Sequence, residues 1–507
     1  MRQLAPGSTN GVTVTELSRR RRVAVLLLCC TSLFVVSLDA TIVNIALPVI
    51  ARDLNAPISG MQWVVDGYVL VVGGLLMLSG STADRIGRRR VFQTGLALFS
   101  LGSLLCSLAP SLGWLIAFRM LQATGGSMLN PVAMSIIANV FTDPRERARA
   151  IGVWGGIGGI SLAAGPPVGG LIVEGFGWPG IFWINVPIGV TVIVLTALLV
   201  PESRAPRPRR LDPLGQLLVM VTLTALCFGI IEGPNLGWSA APVLGCFAAA
   251  ALCLAALLWY EPRREDPLID PRFFRSAPFS GAVAIAVCSF AALGGFLFIN
   301  TLYLQNVRGL SPLEAGVHTL PMALATLVLS PVSGRLVAAR GARPPLVIAG
   351  ALLTLAGLLL TRVTADTPTF PLLVVYVVFG AGFGLVNAPL TNTAVSGMPR
   401  AQAGVAAAVS STGRQVGQLL GVAIAGSIVA SSLAVPRGPA FAQASEAVWW
   451  MVAGYGALVL ALGLATTGPR ARATAARVAE RLFHEEPAFA EGGAPAGPGA
   501  SGGAASP

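Results

Sequence analysis

A chain of 507 residues that is 54% hydrophobic and 11% charged is too poor in charge for a soluble domain, where about a quarter of residues are charged, and too apolar for disorder. All 34 basic residues are arginine; without lysine there is neither a Walker A phosphate loop nor a lysine Schiff base. The net charge of +12 gathers in alternate loops, which marks a topology signal and a match to anionic lipid, not a nucleic-acid footprint.

Residues 1–22 are polar, close on Arg19-Arg20-Arg21-Arg22, and are expected as a cytoplasmic tail. The apolar run that starts at Val23 could imitate a signal peptide. It continues to Ile50 with no clear small-residue cleavage site, so an uncleaved first span is expected. Runs of ~20 apolar residues, enough to cross ~30 Å of hydrocarbon as a helix, then recur to the end of the chain. The predicted spans are 23–49, 60–80, 91–109, 112–138, 149–173, 180–200, 213–232, 241–260, 279–301, 314–338, 344–362, 370–395, 403–430 and 447–467. These make an all-α integral membrane protein with 14 transmembrane helices. Residues 468–507 are expected as a disordered cytoplasmic tail, ending in an Ala/Gly/Pro/Ser run from Gly492 to Pro507.

Arginine placement tests the count. With the N-terminus inside, the cytoplasmic loops hold Arg85, Arg88, Arg89 and Arg90, then Arg145, Arg147 and Arg149, then Arg204, Arg207, Arg209 and Arg210. They continue with Arg263, Arg264, Arg272 and Arg275, then Arg335, Arg340 and Arg343, then Arg400, whereas the outside loops hold Arg52, Arg308, Arg362 and Arg437. One span more or fewer would scramble every later loop, so the bias fixes parity as well as orientation. The loops after spans 2 and 10 echo each other: Gly80 and Gly87, like Gly334 and Gly341, stand seven apart and precede arginine. If spans 9–14 repeat spans 1–6, the chain divides into a six-helix half over 23–200, a linker with two extra helices over 201–276, and a second six-helix half over 277–467. Repeated halves with a binding site between them are a transporter signature.

Charged and small residues inside the spans carry the chemistry. Span 1 contains Leu38-Asp39-Ala40-Thr41 and Asn44, and span 2 contains Trp63-Val64-Val65-Asp66-Gly67-Tyr68. A mid-span aspartate is expensive to bury charged; Asp39 is either a protonatable or substrate-facing carboxylate or a hydrogen-bonder that pins its helix. Asp66 either takes protons from outside or is a hydrated residue near the outer mouth. Span 4 carries Arg119-Met120-Leu121-Gln122, whose arginine keeps its charge and needs a counter-charge, with Asp39 or Asp66 as candidates. Span 5 carries Gly159, then Gly165-Pro166-Pro167-Val168-Gly169-Gly170; glycines let another helix approach, and the prolines are expected to bend or end the helix. Gly80, Asp84, Arg85, Gly87 and Arg88 form the loop after span 2, in which Asp84 can pair with arginine and face another helix's N-terminus. Its copy has Ala338 in place of the acid. Phe182-Trp183-Ile184-Asn185 opens span 6, and Arg414-Gln415-Val416-Gly417 lies in span 13.

These motifs resemble the major facilitator superfamily over roughly residues 20–467, and within it the 14-span, EmrB- and QacA-like drug:proton antiporters. The resemblance implies the major facilitator fold in a 6 + 2 + 6 arrangement and proton-coupled efflux of drugs or antibiotics across the bacterial cytoplasmic membrane. It implies a gating loop at Gly80, Asp84, Arg85, Gly87 and Arg88 that latches the halves, and an antiporter motif at Gly159, Gly165, Pro166, Gly169 and Gly170 that seals them. Asp39, Asp66 and Arg119 are expected in proton coupling, and Asn44, Gln122 and Arg414 on the substrate cavity. The span 5 motif favours an exporter over the alternative, an importer or symporter of a small metabolite.

The seven cysteines lie in apolar runs without zinc spacing, so neither disulfide nor metal is expected. His318 and His484 are the only histidines, which moves coupling onto carboxylates. No nucleophile constellation supports an enzyme. The expected partners are a hydrophobic or amphipathic small molecule, protons and the lipid bilayer, with no nucleic acid and no cofactor beyond the proton gradient, acting as a monomer.

Overall fold

The computed structural model describes residues 18–205, 211–264, 271–395, 403–432 and 439–484. Arg207, Arg209, Arg210, Arg400, Arg437 and the run from Gly492 lie outside the described residues. The first six long helices are α1 (Arg19–Asp53), α2 (Ile58–Ile86), α3 (Arg88–Ser107), α4 (Leu112–Val140), α5 (Pro144–Phe176) and α6 (Gly180–Leu199, broken at Ile184). Two more follow, α7 (Pro213–Leu236) and α8 (Ala241–Tyr260). The rest are α9 (Ala277–Leu302), α10 (Pro312–Arg340), α11 (Arg343–Leu360), α12 (Thr369–Val395), α13 (Ala403–Ser432), α14 (Pro439–Thr466) and α15 (Pro469–His484).

Twelve of the helices are long and apolar enough to cross a membrane. The two remaining predicted spans, α3 and α4, fall below that apolar standard because they carry Arg88, Arg89 and Arg90, or Arg119, Gln122 and Asn130. Both are packed inside the bundle, α3 on α4 and α6, and α4 on α2. Glycines set the α3–α4 distance: a Cβ on Gly102 would lie 2.6 Å from the Gln122 Cα.

The pairing of helices repeats along the chain. In the first six, α1 packs on α5, α4 and α6, α2 on α4, and α3 on α4 and α6. Eight positions later α9 packs on α13, α12 and α14, α10 on α12, and α11 on α12 and α14. Between the two sets α5 meets α10 and α2 meets α13, so each set offers the counterpart of the helix it receives. The extra helix α7 lies against α2 and α13, and α8 packs on α7 with Leu252, Leu258 and Trp259 exposed.

Helices α5 and α10 touch backbone to backbone at one end only. Gly170 meets the backbone of Pro312, and Gly316 meets that of Pro166. Gln305 Nε2 donates to the Ile45 carbonyl (2.8 Å), and Ser311 Oγ to Glu174 Oε2 (3.1 Å). At the arginine-rich end Gly152, Gly155 and Gly156 of α5, and Gly334 of α10, have nothing within 4 Å of where a Cβ would stand. Helices α5 and α10 are therefore closed on each other at the end opposite the arginine-rich loops and splayed at the arginine-rich end, where Met77 of α2 still packs on the cluster of Phe279, Ala406 and Val409 in the second set.

Two expectations need correction. Pro166-Pro167 does not end helix α5, which runs unbroken to Phe176; packing against neighbouring helices compensates backbone groups that a proline frees. Residues 468–507 are not wholly a disordered tail, since Pro469–His484 is helical. Ala471, Ala475 and Val478 recur at helical spacing on one buried face, Val478 clusters with Phe273 and Phe279, and Thr474 Oγ1 accepts from the Ala277 N–H (2.9 Å).

Candidate functional site

Asp39 sits mid-way along α1 and Arg119 in the first half of α4, and both are fully buried. Arg119 Nη1 lies 2.5 Å from Asp39 Oδ2 and 2.7 Å from Gln122 Oε1, and Nε donates to the Val64 carbonyl (3.4 Å). The other carboxylate oxygen of Asp39 accepts from Gln122 Nε2 (2.8 Å) and Asn185 Nδ2 (2.9 Å). Gln122 and Asn185 also donate to Ser103 Oγ, at 2.6 and 3.3 Å. The Tyr68 ring lies under the guanidinium, 4.1 Å from Cζ, a cation–π contact that strengthens when desolvated. One polar knot thus ties α1, α2, α3, α4 and α6 together, with its charges matched and both Asp39 oxygens satisfied, while the buried Tyr68 hydroxyl has no partner. In the second set, the counterpart helices α9, α12 and α14 meet through Phe296, Tyr376, Phe379 and Trp449, with the Phe296 and Phe379 rings stacked at 4.3 Å.

Of the two candidates for the Arg119 counter-charge, the structure brings in Asp39 and leaves out Asp66. Asp66 is fully buried on α2, and neither of its oxygens has a hydrogen-bond partner. One turn away, Trp63 Nε1 donates to Glu232 Oε1 of α7 (2.9 Å), and Asn235 Nδ2 joins Ser59 Oγ (3.0 Å) to Glu232 Oε2 (3.1 Å). Glu232 is therefore the polar clip between α7 and α2.

In the loop after α2, Gly87 caps the helix at φ 129°, a conformation that favours glycine. Asp84 Oδ1 accepts from Arg88 Nε (3.1 Å) and Nη2 (2.9 Å), and the Asp84 carbonyl accepts from the Ala205 N–H (3.0 Å). Glu202, which the sequence reading passed over, accepts from the Arg89 N–H (3.1 Å) and lies 3.9 and 3.7 Å from the Arg89 and Arg90 side chains. Its signal was a lone acid just before the arginine-rich linker. Among the described residues, ion pairs form at this loop and not at its copy around Gly341.

In α5, a Cβ on Gly169 would lie 2.7 Å from Ile42 Cγ1, and Gly165 touches Thr41, both of α1; Pro166 and Gly170 face α10, and Gly159 approaches Leu327. The glycine–proline segment is thus where α5 crosses α1 and α10. Of the three residues expected on a cavity, Gln122 is locked in the knot. Asn44 is buried and donates to the Ala40 carbonyl of its own helix (3.2 Å). Arg414 keeps partial exposure, donates to Thr391 Oγ1 (2.9 Å) and stands over the Phe290 ring.

Residues 29–422 match the family model described as Major Facilitator Superfamily. The chain belongs to the Major Facilitator Superfamily. It is 37% identical over 420 residues to the multidrug resistance protein Stp of Mycobacterium tuberculosis, covering 83% of this chain and 78% of that protein. It is 38% identical over 427 residues to the tetracenomycin C resistance and export protein of Streptomyces glaucescens (83% and 79% covered). It is 36% identical over 431 residues to the methylenomycin A resistance protein of Streptomyces coelicolor (84% and 90% covered). The fold is that of the xylose transporter XylE of E. coli in its inward-open conformation (TM-score 0.59, 13% identity, 87% and 96% covered). It is shared with a D-xylose-proton symporter (TM-score 0.64, 14% identity, 89% and 98% covered). Membership in this superfamily of membrane transporters accounts for the repeated pairing of helices and the single closed end.

Proposed function

We propose that the protein is a proton-coupled exporter of amphipathic drugs or antibiotics, one of the 14-span drug:proton antiporters. Identity of 36–38% over more than four-fifths of the chain to proteins named for resistance and export carries this reading. Placement of α3 and α4 inside the bundle supports 14 crossings, and the recurring helix pairs support the 6 + 2 + 6 division. With the N-terminus in the cytoplasm, as the arginine bias requires, the closed end faces outside and the structure is inward-facing. The antiporter-motif glycines lie in the outer seal, where close packing keeps water and protons from leaking past an exporter.

The two acids divide the work. Asp39 and Arg119 form a matched buried pair that fixes five helices. Asp66 has no counter-charge, and burying a charge without a partner is costly, so Asp66 is the group suited to bind and release a proton. The substrate meets a largely apolar cavity in which packing, more than fixed charge, selects; Arg414 is its partly exposed cation. Everted vesicles with an acidic interior test the reading: an amphipathic dye or antibiotic should accumulate, and collapsing the gradient should release it. Failure across a broad panel, with uptake of a metabolite by whole cells, would make the protein an importer.

A further inference from the structure

Gln62 is fully buried on α2, one turn before Asp66, at the seam between the two halves. Its Nε2 donates across that seam to the Ala423 and Val422 carbonyls of α13, at 2.7 and 3.3 Å. Gly426 makes room for it, since a Cβ there would lie 2.6 Å from Gln62 Nε2. Helix carbonyls hold a second lone pair, so the amide can leave without breaking α13. Three buried acceptor atoms nearby have no partner: Gln62 Oε1 and both oxygens of Asp66. Residues four apart are neighbours on a helix, and side chains lean toward its N-terminus, so Asp66 leans over the turn that carries Gln62.

We propose that Gln62 is a positioning residue that clasps the outer end shut, and that the protonation of Asp66 decides whether it holds. A protonated carboxyl can donate to Gln62 Oε1, which leaves the amide N–H on α13. An ionised carboxylate only accepts, so it competes for that same N–H and draws it off the α13 carbonyls. The proton is exchanged with water on whichever face is open, and no other bond changes. The sign fits antiport: the protonated carrier closes outside, and the deprotonated carrier can open there. The ionisable groups facing this region are Cys227 and Glu232 of α7, Tyr68 of α2, and Arg119 of α4, which is paired with Asp39 of α1. From Gln415 to Gly426, α13 contributes none. The proposal rests on proton-coupled transport, yet its test needs no substrate.

Spin labels at Asp53 and Asp366, exposed at the outer ends of the two halves, report the closure by their distance in the reconstituted protein. The wild type should be closed at acidic pH and gain a longer, open distance at alkaline pH. Asp66→Asn, which copies the neutral acid, should stay closed at both. Gln62→Leu should raise the open-to-closed ratio roughly tenfold or more at both, the size two neutral hydrogen bonds carry. Gln62→Asn, with a shorter reach, serves if the leucine variant does not fold. An unchanged pH response in Asp66→Asn, or an unchanged closed fraction in either Gln62 variant, overturns the clasp. A pH-driven opening in a protein that exports nothing overturns the export reading and leaves the clasp standing.

Discussion

Two mid-span aspartates occupy opposite chemical situations in one helix bundle. Every lone-pair direction of Asp39 that matters is used by Arg119, Gln122 or Asn185, whereas Asp66 has no donor at all. Removing one member of a buried ion pair leaves the other uncompensated, a loss of about 3–5 kcal/mol. Asp39→Asn should therefore lower the thermal stability of the purified protein, and adding Arg119→Gln should restore part of it. A double-mutant cycle in thermal unfolding reads this, and strictly additive losses would remove the pair from the account. Asp66→Asn removes no bond seen in the structure and should leave stability unchanged or higher while abolishing proton-driven drug efflux.

At the scale of helices, small residues decide where the halves touch. Gly170 and Gly316 bring α5 and α10 into backbone contact, and a larger side chain at either position has nowhere to go without parting them. Gly170→Leu should make proteoliposomes lose an imposed pH gradient faster than wild type in the absence of drug; wild-type leak rates would show that the outer seal lies elsewhere. Gly155→Leu, at the splayed end where a Cβ meets nothing within 4 Å, should leave that leak unchanged. Helix α15 supports the arginine-rich end differently: Val478 packs with Phe273, Phe279 and the start of α13. Val478→Asp should release α15, seen as faster amide exchange over residues 469–484.

For the whole molecule, the bilayer made most of the architecture readable in advance. Apolar length and arginine alternation are imposed by the membrane on every span, and the glycine-loop echo marked the same two helices, α2 and α10, that hold equivalent places in the packing. Pairing inside the bundle was harder to read. Both aspartates are mid-span acids within reach of Arg119 by helix order alone, and only the inward direction of Asn185 and Ser103 selects Asp39. Gln62 carries no charge to draw notice, and Glu202 and Val478 act through residues far away in sequence. The proline pair does not end α5, because local propensity yields to packing on α1 and α10. Which acid carries the proton is open to direct measurement. Everted vesicles acidified inside and loaded with a pH dye should alkalinise when a transported drug is added, because antiport exchanges protons for drug; Asp66→Asn should abolish that signal at wild-type expression and drug binding. Drug-induced alkalinisation that persists in Asp66→Asn would contradict the account.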